Sequence, residues 1–587
     1  MEDNLEEEKS TLLSNHQNSE DETPSSRKGG LITMPFIIVN ESFEKVASYG
    51  LLPNMIFYLM NVYHLEAARG TIILSLWSSA SNILAIFGGF LSDSYLGRFK
   101  VIAFGTFCSL LGTSLLWSTS VIPWMKPSPC VSSSQSCDSA TPLQFLVLFG
   151  SFGLISIGAG CVRPCSIAFG ADQVNNKENL NNERVLDSFF NWYYASTGLS
   201  TIVALTVIVY IQDQFGWPIG FGIPACLMIL SLVAFLFGSP LYVHVKAKEN
   251  LFLGLFQVPI AAYRKRKISL PPYNSSEHYF LGNASEVTTL TDNIRCLNRA
   301  CVIVDPETEL NRDGTASNPW RLCTVERIET LKSILRIMPM WTTGIMMLVA
   351  LNNSYTTLQA KTMDRHFISS FEIPAGTFHV FSIVTITFWV AFYDRALVPL
   401  LAKFFDMPRG LGPRVRMGLG LLLSCLAMLV AGFVESIRRQ TAINEGLEDQ
   451  PKAVLEMSAM WLVPQLVLLG LAEAFNAVGQ IEFYYGHLSK TMSSLAMAIF
   501  TLGMAVSSLV GSLLVDIVDT FTGAGGKVSW LSSNLNKGHV DYYYWLVAFL
   551  CLVNFLYFLI CCRVYGPDES HSQSLRSRRH GAKKESV

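Results

Sequence analysis

The chain has 587 residues, of which 50% are hydrophobic and only 15% charged, with a mean hydropathy of +0.35. Its 43 Lys and Arg nearly cancel its 45 Asp and Glu, so there is no basic excess to bind nucleic acid. This composition excludes a soluble multidomain enzyme and a disordered chain. Thirteen Cys spread over such a length exclude a disulfide-framework miniprotein. What remains is an all-α polytopic membrane protein rich in Phe, Tyr, Trp and Gly.

Residues 1–31 open with an acidic run and no apolar stretch follows directly. They read as a disordered cytosolic tail rather than a signal or transit peptide. A bilayer core needs about 20 apolar residues per helix. Twelve spans meet that need, at roughly 32–61, 70–93, 100–122, 143–170, 185–211, 217–243, 330–357, 374–400, 413–434, 459–485, 491–516 and 541–563. A polar insert at 244–329 divides them into two six-helix bundles, 32–243 and 330–564. Such a division suggests the major facilitator fold, with a site between the halves. A second polar tail covers 565–587.

Lys and Arg in the short loops favour the N-terminal side by twelve to nine. Arg264-Lys265-Arg266-Lys267 in the insert and five basic residues in the C-terminal tail add to that side. Both termini and the insert are therefore expected in the cytosol. Cys130 and Cys137 flank a Ser-rich outer loop and form either a disulfide or two free thiols. The sequons at Asn274 and Asn283 fall in the insert and are expected to carry no glycan.

Charges inside the spans are the informative residues, because each costs about 2.5–3.5 kcal/mol on insertion scales. Glu41, Glu44 and Lys45 in the first span lie at i, i+3 and i+4, on one helical face. Lys45 can hold one carboxylate ionised while the other keeps a proton, which makes a proton-binding device. The alternative is an internal salt bridge that only packs helices. In the fourth span, Gly158-Ala-Gly160 permits close helix approach and precedes Arg163. Its planar guanidinium suits a carboxylate or planar oxyanion, or serves as partner to Glu41 or Glu44. Glu473 stands alone in the tenth span. It could titrate, pair a cationic group of a substrate, or pack as a neutral hydrogen-bonded acid.

Other polar positions carry less. Asp93, Gly97 and Arg98, between spans two and three, read as a conformational latch. Asn191, Tyr193 and Tyr194 in span five, with Asn352, Asn353 and Thr356 in span seven, offer polar edges to a cavity or local helix–helix hydrogen bonds. No metal-ligand cluster, Ser/His/Asp set or phosphate loop occurs within the spans, so neither an enzyme nor a bound cofactor is expected.

Taken together these motifs resemble the proton-coupled oligopeptide transporter family, and within it the plant nitrate transporter/peptide transporter branch. The resemblance runs over roughly 30–565. It rests on Glu41-x-x-Glu44-Lys45 with Tyr49-Gly50, on Asp93-x-x-x-Gly97-Arg98 and on Phe169-Gly170-Ala171-Asp172-Gln173. It rests also on Phe190–Tyr194, on Asn318–Cys323, and on Gly470, Glu473 and Phe475 followed by Gln480, Glu482 and Phe483. The first-span wording looks closest to the first plant subfamily, whose described members move nitrate.

The resemblance implies a major facilitator fold, proton symport and alternating access. It implies proton coupling by Glu41, Glu44 and Lys45, with Arg163 at the position usually held by a coupling Lys or Arg. From the residues themselves, Glu473 is a second candidate for proton coupling, and the candidate substrate site is drawn from Arg163, Lys45, Asn352, Thr356, Tyr194 and Glu473. Three departures qualify the resemblance. Asn352 stands where a nitrate-transporting relative has a His, and Asn cannot become a cation. Val101 stands where that relative has a phosphorylatable Thr, and Ser48 replaces the first of two Tyr found in peptide carriers. The expected solutes are protons with nitrate. The alternatives are a larger organic anion (gibberellin, abscisic acid or a glucosinolate) or a transceptor role. The expected setting is the lipid of the plasma membrane, as a monomer or weak homodimer.

Overall fold

The computed structural model describes residues 29–128, 139–174, 182–244, 251–268, 270, 279–281, 290–311, 314–368, 371–405, 407, 410–488 and 493–565. Cys130, Cys137, Asn274 and Asn283 lie outside them, as do residues 1–28 and 566–587 of the tails.

The first half holds α1 (Met34–Asn61), α2 (Ala67–Leu91), α3 (Arg98–Val121) and α4 (Pro142–Val174). It continues with α5, which runs Asn182–Val203, widens over Ala204–Ile208 and resumes as Val209–Phe215, and ends with α6 (Trp217–Phe237). In the second half α7 is built from Val325–Thr343, Ile345–Leu351 and Tyr355–Lys361. There follow α8 (Val380–Phe392, continued by Val398–Phe405), α9 (Pro413–Asn444), α10 (Val463–His487), α11 (Ser493–Thr522) and α12 (Val540–Tyr565). Ten of these are long and apolar enough to cross a membrane, and the bent α7 makes an eleventh. The 28 residues of α1 have the length, but Glu41, Glu44 and Lys45 dilute their apolar character.

The packing repeats with an offset of six helices. α3 lies on α4 and α6, as α9 lies on α10 and α12. α2 crosses α4 as α8 crosses α10, and α1 meets α5 and α6 as α7 meets α11 and α12. Even the local irregularities repeat. α2 ends in a wide turn at Ser92–Leu96, and α8 carries one at Tyr393–Leu397. The expected two-bundle arrangement of an all-α polytopic membrane protein is therefore present. Close approach depends on small residues, as the Gly158/Gly160 pattern suggested. A Cβ on Gly160 would sit 2.7 Å from the Leu84 backbone, and one on Gly88 would strike the Gly160 carbonyl.

Two helices differ from expectation. α7 starts earlier, where the Thr324 hydroxyl caps the Arg327 N–H, and its charged first turns hide it from a hydropathy reading. It then breaks at Gly344 and again at Asn352–Ser354, where Asn353 Oδ1 accepts from the Tyr355 N–H at 3.0 Å and restarts the helix. α9 runs ten residues past the expected end at 434, because Glu435 and Arg438 satisfy each other inside the helix. Arg438 and Arg365, two of the nine cations counted from the sequence in the loops on the other side, are buried. The non-helical pieces are small. Met363–Asp364 pairs in parallel with Leu455–Ser458, and His366–Ile368 pairs antiparallel with Phe371–Glu372.

The start of α1, the end of α12 and the insert share one side of the molecule. On the far side a single apolar cluster joins the halves, with Leu51, Tyr58, Trp77 and Phe152 from the first and Tyr355, Leu358, Val518 and Tyr544 from the second. Asp213 at the end of α5 reaches Lys361 at 3.3 Å and Arg365 at 3.8 Å across the same seam. On the insert side each half has its own core, Ile37, Val101, Val162 and Phe235 in one and Ile337, Met417, Phe483 and Phe558 in the other. The halves are therefore closed together at the far side. Val101, at the position of the missing Thr, is simply part of this apolar packing.

The described residues of the insert pack around a core of their own. Its helix Leu251–Arg264 packs Val258, Ala261 and Ala262 against Ala300, Cys301 and Cys323, together with Val325 and Ile328 at the start of α7.

Candidate functional site

The first-span face assembles as its spacing demands, and α4 delivers the partner. The crossing of α4 on α1 brings Arg163, one residue before the helix-bending Pro164, beside Glu44. Arg163 Nε lies 3.6 Å from Glu44 Oε2, and Lys45 Nζ lies 3.9 Å from Glu41 Oε1. Two carboxylates and two cations thus form one cluster, each acid facing its own base. Glu44 is fully buried, while the side chains of Lys45 and Arg163 stay 17% and 27% exposed. The carboxylates sit behind and the cations in front.

Both contacts are long for ion pairs, and hydrogen-bonding capacity is left over. Among the described residues Glu41 Oε2, Glu44 Oε2 and Arg163 Nε make no hydrogen bond although each is buried. A finished structural ion pair does not leave such groups open, because each costs about 1–3 kcal/mol. Two residues close the cluster further. The Ser48 hydroxyl donates to Glu44 Oε1 at 2.5 Å. The Tyr49 ring lies under both cations, 4.9 Å from the Arg163 guanidinium carbon and 5.7 Å from Lys45 Nζ. Neither role was read from the sequence. The signal was there: Ser48 is four residues after Glu44, and Tyr49 is four after Lys45.

The other expected residues are placed as follows. Glu473, on α10, is half-buried and has no ion-pair or hydrogen-bond partner among the described residues. Asn352 is exposed at the break in α7, and Thr356 is buried at the start of the next helical piece. Tyr194 is 63% exposed on α5, its ring centroid 6.1 Å from that of buried Tyr193. Asn191 is exposed nearby. Thr357, which the sequence did not single out, contacts His379 Nε2 at 3.1 Å where α7 meets the start of α8.

The loop motif and the motif after span four form one clamp. Gly97 takes φ +79°, a conformation that favours glycine. Arg98 then reaches Asp93 Oδ1 at 3.2 Å and Asp172 Oδ2 at 2.5 Å, tying the α2–α3 turn to the end of α4. Gln173 holds Val243 by two hydrogen bonds, of 2.9 and 2.6 Å, which joins α4 to the segment after α6. The second half has its counterpart. Arg416 donates to the Tyr393 hydroxyl at 3.0 and 2.8 Å and pairs with Glu482 at 3.1 Å.

Among the described residues no group of three or more His, Cys, Asp or Glu could hold a metal ion. What the cluster can do is release a carboxylate from a cation when a proton arrives, and offer that cation to an anion.

The family model described as the POT family matches residues 99–531. The Arabidopsis thaliana protein NRT1/PTR FAMILY 1.2 is 51% identical over 547 residues, covering 92% of this chain and 90% of its own. NRT1/PTR FAMILY 2.13 of the same plant is 40% identical, covering 93% and 88%. The crystal structure of an auto-inhibited POT family peptide transporter superposes with a TM-score of 0.65 at 18% identity, covering 91% of this chain and 98% of that one.

Proposed function

The chain belongs to the POT family, on its NRT1/PTR branch, and from that premise we propose that this transporter is a proton-coupled symporter importing nitrate across the plasma membrane. The termini and the insert then lie in the cytosol, and the halves, closed at the far side, represent the state open to the cytosol. The observation that carries the reading is the cluster of Glu41, Glu44, Lys45 and Arg163, with long ion pairs and open hydrogen-bonding positions.

In the outward-open state a proton on the Glu pair frees Lys45 and Arg163 to hold the anion. Tyr49 keeps the two cations facing the same space. After the halves rock, the anion leaves, and loss of the proton re-forms the ion pairs. One proton per nitrate is electroneutral and draws about 1.4 kcal/mol per pH unit from the gradient. A second proton adds about the same again, plus about 2.3 kcal/mol per 100 mV of membrane potential. Glu473, on the opposite half and without an ion-pair partner among the described residues, is the second proton site.

Asn352 favours a second reading. It is exposed at the break in α7 but cannot carry charge, so anion binding falls to Arg163 and Lys45 alone. Their forked and point-charge donors suit the carboxylate of a larger solute such as gibberellin or abscisic acid equally well. Inward current at acidic external pH separates the two, with nitrate, gibberellin and a dipeptide added in turn. The nitrate reading expects a nitrate current that is lost in Arg163→Ala. A current for an organic acid and none for nitrate assigns the larger solute. Nitrate currents unchanged in both Glu41→Gln and Glu44→Gln would sink the coupling mechanism.

A further inference from the structure

The insert helix Leu251–Arg264 has two apolar faces, and its own unit covers only one. Val258, Ala261 and Ala262 are buried in the insert core. The opposite stripe, Phe256, Ile260 and Tyr263, repeats at i, i+4 and i+7 and is exposed, Phe256 at 68% and Tyr263 at 67%. Just past this stripe stand Arg264, Arg266 and Lys267, all exposed, and exposed Arg321 lines the same cleft as Arg264. None of the four forms an ion pair among the described residues. Arg264 donates to the Trp320 carbonyl, and Arg266 stacks on the Tyr263 ring with its guanidinium carbon 4.4 Å from the centroid. Lys265, between them, is different: it is buried, paired with Glu309 at 2.8 Å and bonded to the Val302 carbonyl at 2.7 Å.

The position of the helix decides what meets that stripe. Arg327, in the first turn of α7, bonds Gln257 Oε1 at 3.0 Å, and the Gly254 backbone lies against the Arg327 side chain. Leu255 packs on the insert-side core of the second half. The helix is therefore fixed at the level of the first turns of α7. An exposed aromatic stripe at that level, bordered by unpaired cations, has the chemistry of the boundary between acyl chains and headgroups.

We propose that this helix is a membrane-interface anchor specific for anionic lipid: Phe256, Ile260 and Tyr263 enter the leaflet, and Arg264, Arg266, Lys267 and Arg321 hold its acidic headgroups. The insert is then not a passive connector. It ties the moving second half to the surface of the bilayer. The assignment goes beyond the transport reading and does not depend on which solute is carried.

The test uses the full-length protein in nanodiscs of phosphatidylcholine, alone or mixed with phosphatidylglycerol, so that both faces have the same composition whatever the orientation. Hydrogen exchange of residues 251–268 is the readout. The anionic lipid slows it by about tenfold, the effect of roughly one basic contact at the leaflet. The triple variant Arg264→Gln, Arg266→Gln, Lys267→Gln loses that difference, and Phe256→Ser with Tyr263→Ser exchanges fast in both discs. Burial pushes the Cys301 thiol up to about 12 and the Cys323 thiol to about 11. Continued resistance of both to alkylation near pH 8 shows that a variant's insert is still folded. Equal exchange in the two discs overturns the proposal. So does protection that disappears on dilution, which means a second copy covers the stripe, or on removal of residues 1–28, which means the chain's own tail does.

Discussion

Each half of the molecule buries an acid–base group within its helices, and the two are built in opposite ways. In the second half, Glu435 and Arg438 are both 0% exposed. Arg438 donates from Nε and Nη2 to the two Glu435 oxygens at 2.7 and 2.8 Å. Its other hydrogens go to Thr362, Asn536 and the Leu535 carbonyl, and Gln359 donates to Glu435 Oε2 at 2.6 Å. Tyr544 completes the set through Gln359. In the first half, the Glu41–Lys45 and Glu44–Arg163 contacts are about an ångström longer, and Glu41 Oε2, Glu44 Oε2 and Arg163 Nε make no hydrogen bond among the described residues. A saturated pair locks helices, whereas an unsaturated one can exchange partners. On this contrast the second-half pair is the structural one, and the first-half cluster is the one proposed to work.

The largest expected effect breaks the saturated side. Arg438→Leu leaves Glu435 buried with one amide donor and removes the link between α7, α9 and the segment before α12. The loss of folding stability is about 3–5 kcal/mol. Thermal unfolding of the purified protein checks it, with Glu435→Gln in the Arg438→Leu background recovering part of the loss. If Arg438→Leu unfolds like wild type but stops transport, the pair is not the lock described here.

The unsaturated side should respond in the reverse order. Glu44→Gln removes one charge from a contact that is already long, and Arg163 keeps partial exposure to water. Its stability cost is about 1–2 kcal/mol, that of a charged hydrogen bond. Proton-driven uptake, by contrast, is abolished, while exchange of solute across the membrane without a pH gradient persists. Loss of both activities together would mean that Glu44 only supports packing.

Ser48→Ala is a smaller perturbation of the same site. It removes the 2.5 Å hydrogen bond to Glu44 and leaves every ion pair in place. A stability change of about 1 kcal/mol is expected. The hydroxyl holds the Glu44 carboxylate in place beside Arg163, so its loss changes the external-pH profile of uptake. An unchanged pH profile would remove Ser48 from the coupling group.

These contrasts also show what the sequence could and could not disclose. The i, i+3, i+4 spacing of Glu41, Glu44 and Lys45 placed them on one face because a helix leaves no choice. Arg163 was named as a partner because so costly a cation in a span needs one. Most of the expected spans were legible because a bilayer imposes a length, and ten described helices with the bent α7 meet it. The break of α7 at Asn352–Ser354 was not, since an Asx turn inside an apolar run has no hydropathy signature. The Glu435–Arg438 lock was missed for a related reason. Hydropathy ended α9 just before Glu435, and only tertiary contacts from Thr362, Asn536 and Gln359 keep the rest of the helix inside the fold. The insert looked like a linker because its core is small and shared with α7.

Glu473 gives the smallest change in stability and the sharpest reading of the comparison. It belongs to the half that holds the lock, yet it resembles the working cluster: half-buried, on a core helix, with no ion-pair or hydrogen-bond partner among the described residues. Replacing it by Gln removes no contact and keeps the shape, so unfolding should shift by no more than about 0.5 kcal/mol. The consequence should appear in charge movement alone. With Glu473 as a second proton site, wild-type nitrate entry carries net positive charge and hastens as the membrane is made more negative. With Glu473→Gln, one proton accompanies each nitrate, the transport current vanishes, and isotopic nitrate uptake continues on the pH gradient. A current that persists in the variant places both protons on Glu41 and Glu44. Coupling would then be confined to the first half, and Glu473 would be left to the substrate.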